Sequence, residues 1–170
     1  MADFTTAFLW TMQYEDPDHA CTLVGDDVGT VISGINSAVW PDAVDVIAAL
    51  PREQRWGAVQ EFYEAHYWNA WLSQLESDEV AKRVFDAGVN QGQGTAVEIL
   101  QKAILQCDPD ANLDVDGIFG PHTLMRANSE TEANLVTAFC AQRVDQYRAT
   151  VSTNPALAPY LDAWLARAQR

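Results

Sequence analysis

Acidic residues near the start of the chain have the types and spacing needed for chemistry on a glycosidic bond. Glu15 ends one amphipathic segment, and Asp26 and Asp27 lie in the segment that follows. In a glycosidase one carboxylic acid protonates the glycosidic oxygen, while a second carboxylate orients water or stabilises the oxocarbenium-like transition state. The sequence therefore predicts Glu15 as a general acid and places the second carboxylate at Asp26 or Asp27.

The element that positions Glu15 is a predicted helix from Asp3 to about Tyr14. Asp3 is a suitable N-cap, Pro17 stops the helix, and apolar residues recur at spacings of three and four: Phe4, Ala7, Phe8 and Met12. Glu15 then lies at the helix C-terminus, where unpaired carbonyl groups disfavour an ionised carboxylate. A general acid must keep its proton until the reaction, so this position favours the role. A solvated glutamate at a helix end is the open alternative.

The second carboxylate is carried by a long segment without a helical pattern, from Tyr14 to Asn36. A loop of this length in a short chain is uncommon unless it carries function. Gly29 and Gly34 indicate turns that need a positive φ, and Thr30 to Ile35 reads as one strand of a short β-hairpin. We therefore predict that this segment forms one wall of an active site.

Composition excludes several classes of partner. The 170 residues include 24 acidic and 10 basic side chains, a net charge of −14. Phosphate binding needs clustered Lys and Arg, so we expect no nucleic-acid partner. The apolar runs are too short for membrane insertion. The first ten residues, MADFTTAFLW, lack the charged region followed by an apolar region that is typical of a signal peptide. We therefore expect a protein made in the cytoplasm that leaves it, if at all, by another route.

Cysteines and acidic runs do not indicate a cofactor or a metal. The three cysteines (Cys21, Cys107 and Cys140) are widely spaced and form no CxxC, which favours buried or free thiols. The stretch from Asn112 begins like a calcium loop, N-x-D-x-D-G, but its twelfth position is Thr123 rather than glutamate. A helix starting at Gly120 and Pro121 is better supported there. We therefore expect no cofactor and no metal.

The rest of the chain is patterned as helices. Apolar spacing, first-turn prolines and N-cap residues predict helices over Asp42 to Leu50, Arg52 to about Leu75, Ser77 to about Gln91, Thr95 to about Gln106, from Ser129 to just before Asn154, and from Pro159 onward. Two of these helices open on capping-box spacings, Thr95 to Glu98 and Ser129 to Glu132. The last helix is expected to bury Tyr160. These patterns predict an all-α fold with a small loop or β-hairpin near residues 22–36.

Several segments, in chain order, resemble one family. Beyond Glu15 and Gly34-Ile35 these are the pair Tyr67-Trp68, FDAGVNQG followed by LQ, DVDGIFGPHT and YLDAWLARAQ. They are similar to the family's Tyr-Trp pair, its F-D-x-x-V-N-x-G followed by L-Q, its D-G-x-x-G-P-x-T and its F-L-x-G-W-x-x-R. The family is glycoside hydrolase family 108, the lysozyme-like N-acetylmuramidases of phage endolysins and secretion activator proteins.

The resemblance implies a two-lobed, lysozyme-like helical fold and cleavage of β-1,4 bonds in peptidoglycan glycan strands. It implies Glu15 as general acid and Asp26 as its catalytic partner. It assigns to substrate binding Asp27, Thr30, Tyr67, Trp68, Asp86 and Asn90. It also implies a catalytic lobe over residues 1–76, packed as one unit with a helical lobe over 77–170 that resembles the family's peptidoglycan-binding segment. A phage or an export machinery would fit the missing signal peptide.

The loop after Glu15 departs from the family pattern, and other functions therefore stay open. The family's E-G-G is Glu15-Asp16-Pro17 here, and Val31-Ile32-Ser33 stands where the family has T-N before its Gly-Ile. A non-catalytic glycan-binding or structural module with a degenerate site would tolerate these changes. A helical domain with an acidic surface for a basic partner is the third hypothesis, and it rests on charge alone.

Overall fold

The described part of the chain forms eight α-helices and one small antiparallel sheet. The computed structural model describes residues 1–26 and 29–170; Asp27 and the side chain of Asp26 lie outside that description. The elements are α1 (Phe4–Glu15), β1 (Leu23–Asp26), β2 (Gly29–Ile32), β3 (Ile35–Asn36), α2 (Pro41–Ala49), α3 (Arg52–Tyr67), α4 (Asp78–Gln91), α5 (Gln93–Cys107), α6 (Pro121–Ser129), α7 (Glu132–Thr153) and α8 (Leu161–Ala168). Short 3₁₀ turns lie at Leu72–Gln74 and Pro155–Tyr160. The mostly helical fold with a small sheet confirms the predicted class.

One hydrophobic core joins helices from both halves of the chain. Helix α4 packs against α1 on one side and against α5 and α7 on the other. The large side chains buried there include Phe8, Met12, Tyr63, Phe85, Leu100, Ile104 and Phe139. Each such side chain stabilises the fold by about 1.5–3 kcal/mol when it is fully buried. A smaller cluster lies between α7 and α8. The lobe boundary between residues 76 and 77 stays a prediction.

Helix α1 forms as its sequence predicts. The Asp3 carboxylate accepts a hydrogen bond from the Thr6 backbone N–H at 2.7 Å and so caps the helix. The apolar stripe is buried, with Phe8 and Met12 fully inside the core. The helix ends at Glu15, where the N–H of the following residue still donates to the Met12 carbonyl. This places Glu15 at the helix C-terminus, as predicted.

The sheet differs from the expected hairpin. β1 pairs with β2 from Leu23↔Ile32 to Asp26↔Gly29, and β3 adds only a short antiparallel edge to β2. The continuous strand predicted over Thr30 to Ile35 is wrong, because a turn at Ser33 and Gly34 interrupts it with φ values of 46° and 82°. The positive φ predicted at Gly34 is confirmed. Hydrogen bonds between Ser33 and residues of other elements hold the turn.

Helix α3 is shorter than predicted. It ends at Tyr67 rather than near Leu75. The Asn69 side chain accepts hydrogen bonds from the backbone N–H groups of Trp71 and Leu72, at 3.0 and 2.9 Å, and opens a separate 3₁₀ turn. Asparagine is a strong turn and cap residue, and here that local preference ends the helix.

Both capping-box predictions are wrong. α5 begins at Gln93 after Gly92, two residues before Thr95. α7 begins after Thr131, because the Ser129 hydroxyl donates to the Met125 carbonyl within α6. Tyr160, expected in the core, is 57% exposed. The helix start at Gly120 and Pro121 is confirmed.

Two further observations concern the chain as a whole. The three cysteines are unpaired, and Cys21 is buried, as their spacing predicted. Among the described residues, no helix combines the length and the apolar character needed to cross a membrane.

A buried glutamine holds the loop before α6. The Gln101 side-chain oxygen accepts hydrogen bonds from the backbone N–H groups of Asp116 and Gly117 at 3.0 Å, and its amide donates to the Asp116 carboxylate at 2.7 Å. The backbone N–H of Ile118 and the Gln101 amide lower the pKa of Asp116. The Asp116 carboxylate therefore serves the turn geometry of this loop.

We expect Gln101→Ala to destabilise the fold by about 1–3 kcal/mol, because it leaves two backbone N–H groups without their acceptor. Urea unfolding followed by circular dichroism measures the change. Gln106→Ala, on the exposed face of the same helix, is the matched control and should change stability by less than about 0.5 kcal/mol. Equal effects of the two variants would contradict the prediction.

Candidate active site

The Glu15 carboxylate lies where α1, α8 and the turn between β2 and β3 meet. Its side chain is 19% exposed, and its Oε1 accepts a hydrogen bond from Arg167 Nη2 of α8 at 2.8 Å. Its Oε2 faces the turn, where a Cβ added to Gly34 would lie only 2.7 Å away. The close approach requires glycine at this position, and it confines the carboxylate between a guanidinium and a backbone turn.

Tyr63 holds the turn from the side of α3. Its hydroxyl donates to the Ser33 carbonyl at 2.9 Å and approaches the position of a Gly34 Cβ at 2.7 Å. Burial, together with the negative charge of Glu15, raises the pKa of Tyr63 well above its usual value. The phenol therefore stays neutral at physiological pH and remains a hydrogen-bond donor that positions the turn beside Glu15.

Asp16 holds the same turn from the side of the loop. Its carboxylate accepts hydrogen bonds from the Ser33 hydroxyl at 2.6 Å and from the backbone N–H groups of Ala20 and Cys21 at 3.0 and 2.9 Å. Burial opposes the charge, but these hydrogen bonds outweigh it and lower the pKa of Asp16. The ionised carboxylate thus ties the loop after α1 to the turn.

Arg167 connects Glu15 to a fully buried acid. It donates to both oxygens of Asp86, at 2.6 and 3.0 Å, and Arg143 Nη2 donates to Asp86 Oδ2 at 2.7 Å. Asp86 is 0% exposed. Burial by itself would lower the pKa of Arg167, but Asp86 and Glu15 outweigh it and raise that pKa. We call these four residues, Glu15, Asp86, Arg143 and Arg167, the ion cluster; its formal charges balance.

Two residues expected on the substrate side lie on α4. Asp86 does not line an open cleft, because it is buried and both its oxygens are bound by arginines. It acts on Glu15 through Arg167. Asn90, one turn further along α4, is exposed, and its Oδ1 accepts a hydrogen bond from the Tyr147 hydroxyl. Only Asn90 of this pair is available to a ligand.

The Tyr-Trp pair is divided between two environments. The Tyr67 ring lies 5.5 Å from that of Tyr63 and so belongs to the wall behind Glu15. Trp68 instead packs against Phe4, with centroids 5.7 Å apart. Phe4 begins α1 and lies about 16 Å along the helix from Glu15, at 1.5 Å per residue. The structure therefore brings Tyr67, and not Trp68, towards the site.

The backbone of Asp26, which was predicted to carry the second carboxylate, lies at the other end of the sheet. Asp26 pairs with Gly29, and Gly29 is separated by the length of β2, about 13 Å at 3.3 Å per residue, from the turn that contacts Glu15. Thr30 lies nearby, with its backbone N–H donating to Ser37 Oγ at 2.9 Å. Asp27 and the Asp26 side chain lie outside the described residues, so a direct pairing of either with Glu15 stays a prediction.

Sequence reasoning missed the arginines of the ion cluster. Arg143 follows Phe139 and precedes Tyr147 at spacings of four, and Arg167 follows Trp164 at a spacing of three. A cation on the buried face of a helix is rarely left unpaired, so it signals a buried acid elsewhere in the chain. The arginines on the apolar faces of these helices were visible in the sequence, but they could not identify the buried acid that pairs with them.

Comparisons with known proteins divide the chain into two matched segments. A family model described as Glycosyl hydrolase 108 matches residues 23–92, and one described as Predicted Peptidoglycan domain matches residues 95–169. Residues 23–92 thus form a glycosyl hydrolase 108 segment, and a peptidoglycan-domain segment follows it. The family match begins after Glu15, so it covers the sheet and α4 but not the proposed acid. The two segments together identify a peptidoglycan hydrolase in general terms.

One solved structure extends the comparison to nearly the whole chain. The structure of Brucella abortus SagA matches with a TM-score of 0.62 and 20% sequence identity, covering 97% of this chain and 92% of that one. At that identity the likeness concerns the fold, which SagA and this chain share. No curated protein sequence matches the chain.

We expect Arg167→Ala to destabilise the fold by about 3–5 kcal/mol, because it removes one partner of a buried ion pair and leaves Asp86 and Glu15 under-compensated. Urea unfolding measures the loss. Arg148→Ala is the control, since Arg148 and Asp145 are 62% and 68% exposed and 3.7 Å apart; it should cost less than about 1 kcal/mol. A similar small loss in both variants would refute a structural role for the cluster.

We expect Gly34→Ala to lower stability by about 1–2 kcal/mol, because an L-residue is strained at its positive φ, and to displace the Glu15 carboxylate and the Tyr63 hydroxyl. Gly57→Ala in α3 has open space around the new Cβ and should gain about 0.5–1 kcal/mol. Thermal unfolding and the rate of cell-wall clearing test both variants. A Gly34→Ala protein with unchanged stability and clearing would contradict the close approach.

Proposed function

We propose that the chain is a lysozyme-like N-acetylmuramidase that cleaves β-1,4 glycosidic bonds of peptidoglycan, with Glu15 as general acid. One observation carries the proposal. The Glu15 carboxylate is held, partly exposed, between the end of α1, the β2–β3 turn and Arg167. Rigid elements on three sides pre-position the acid, which is what proton transfer to a bound sugar requires. The family and the SagA-like fold support the substrate class.

In the proposed reaction, protonated Glu15 donates its proton to the glycosidic oxygen as the bond from that oxygen to the anomeric carbon breaks. Glu15 is left as a carboxylate, and Arg167, 2.8 Å away, stabilises that charge. The ion pair in the structure thus corresponds to the state after proton transfer. Water, oriented by the carboxylate proposed at Asp26, then attacks the anomeric carbon and gives its proton to that carboxylate.

The remaining residues have proposed supporting roles. Thr30, Tyr67, Asn90 and Asp27 are proposed to contact the glycan, and Trp68 a more distant part of it. Asp86 is a positioning residue, because it holds Arg167 against Glu15 rather than touching sugar.

The separation of the two carboxyl groups sets whether the enzyme inverts or retains configuration. Action on the cell wall follows release or export, with a phage or secretion setting as part of the proposal.

A second candidate function is a glycan-binding module without catalysis. The observation that favours it is the ion pair itself. The Arg167 guanidinium stabilises a carboxylate, whereas a general acid has to be neutral before it reacts. The altered residues after Glu15 also favour the binding module. Both candidates predict binding to cell walls, and only the first predicts cleavage.

We expect Glu15→Gln to reduce clearing of a purified cell-wall suspension by about 10²- to 10⁴-fold, the usual contribution of a general acid. The glutamine keeps the size of the side chain and an oxygen that accepts from Arg167. Analysis of reducing ends by mass spectrometry identifies the bond that wild type cleaves. Glu64→Gln, exposed on α3, is the matched control and should clear walls as wild type does.

Three outcomes separate the candidates. Loss of clearing in Glu15→Gln alone, with wall pelleting retained, supports the muramidase. Wild type that pellets with walls and never clears them supports the binding module. Clearing that survives in Glu15→Gln would show that another residue is the acid.

A further inference from the structure

A second feature of the molecule is a surface cavity next to the ion cluster. It has a volume of about 180 Å³ and lies between the end of α4, the start of α5, and helices α7 and α8. Its walls come from Asn90, Gln91, Thr95, Gln146, Tyr147, Thr150 and Trp164. One wall residue, Gln91, is bonded by Arg143 of the ion cluster. We propose that this cavity, the amide pocket, binds one N-acetylated sugar unit of the glycan strand. The inference rests on the proposed function for the identity of the polymer.

The lining of the amide pocket is uncharged, although the chain carries 24 acidic side chains. Every described residue on its wall is an amide, a hydroxyl or an aromatic ring. By contrast, the cavity between α4 and α7 near Leu75 is lined by Glu76, Glu130 and Glu132. A neutral pocket with several directional polar groups is suited to a neutral, hydroxyl-rich ligand rather than to a cation or an anion.

The amide groups of the pocket are oriented in advance. Asn90 Oδ1 accepts a hydrogen bond from the Tyr147 hydroxyl, and Gln91 Oε1 accepts one from Arg143 Nε at 3.0 Å. In each amide the oxygen is therefore occupied, and the NH₂ group is the free end. Within residues 1–26 and 29–170, neither NH₂ group has a protein acceptor at hydrogen-bond distance. The site presents two donors, which fit the carbonyl oxygen of an acetamido group or a sugar hydroxyl.

Aromatic rings supply the apolar side of the pocket. The Tyr147 and Trp164 rings stack with centroids 5.2 Å apart, and Tyr160 continues the stack at 5.8 Å from Trp164. Trp164 is only partly buried. Aromatic faces next to a few directional polar groups are the usual composition of small-ligand sites. Here the rings give the pocket an apolar surface for the methyl of an acetamido group.

The size of the pocket and its connection to Glu15 limit the ligand. A volume of about 180 Å³ is below the roughly 300–1,000 Å³ of typical ligand pockets, so it suits one sugar ring rather than a chain. Arg143 bonds both Gln91 and Asp86, and Trp164 lies one turn from Arg167 on α8. Arg143 thus connects a wall residue of the amide pocket to the ion cluster that holds Glu15. The pocket is therefore our candidate site for a neighbouring unit of a glycan bound near Glu15.

The test measures binding of the soluble N-acetylglucosamine tetramer to the full chain by calorimetry. Thr150→Tyr fills the pocket from its α7 wall and should weaken binding by at least about tenfold, or 1.4 kcal/mol. Thr137→Tyr is the matched control, because Thr137 is exposed on the same helix and its hydroxyl also donates to the carbonyl four residues earlier; its affinity should stay that of wild type. Gln146→Ala, which removes a half-buried wall residue without adding bulk, serves if Thr150→Tyr does not fold.

The glucose tetramer, which lacks acetamido groups, should bind at least about tenfold more weakly than the N-acetylglucosamine tetramer. Equal binding of the two sugars, or binding unchanged in both Thr150→Tyr and Gln146→Ala, would overturn the inference. Failure of the proposed function gives a different result. In that case Glu15→Gln clears walls as wild type does, but Thr150→Tyr and Gln146→Ala still bind the tetramer more weakly than wild type.

Discussion

The site depends on one physical constraint, the burial of Asp86. Taking an ionised carboxylate out of water costs several kcal/mol, and the structure offsets this with two arginines in hydrogen-bonding geometry. Arg143 comes from α7 and Arg167 from α8, while Asp86 itself lies on α4. Three helices must therefore converge before the charge is compensated. Glu15, at the end of α1, joins the same cluster through the second arginine.

This constraint links the two matched segments of the chain. Asp86 lies in the segment matched by the glycosyl hydrolase 108 model, and both arginines lie in the segment matched by the peptidoglycan domain. The proposed acid is thus held by a side chain from the peptidoglycan domain. Under the proposed function, the C-terminal helices therefore position the acid as well as contact the glycan.

The same cluster bears on the charge of the molecule. A net charge of −14 repels an anionic polymer at long range. Near the proposed site, however, the acids of the cluster are paired, and the amide pocket next to it is lined by uncharged groups. Under the proposal, sugar rings therefore contact an uncharged pocket, where hydrogen bonds and aromatic contacts decide affinity.

The sequence alone determined the helical class, the first helix and the position of Glu15 at its end. These follow from local rules, since an N-cap, a stripe of apolar residues and a proline act within one or two turns. It also located the small sheet near residues 22–36. The capping boxes at Thr95 and Ser129 failed, because the same spacing occurs inside a helix that has already started and near the end of another.

Only the tertiary structure decided which groups surround the acid. Asp86 was expected at the substrate and is instead fully buried, because two arginines far along the chain bind its oxygens. Ser33 and Gly34 form a turn rather than a strand, because Tyr63 and Asp16 bind it from other elements. Sequence spacing specifies contacts within a helix or a strand. Pairing between distant charges depends on how the helices pack, and that information is not local.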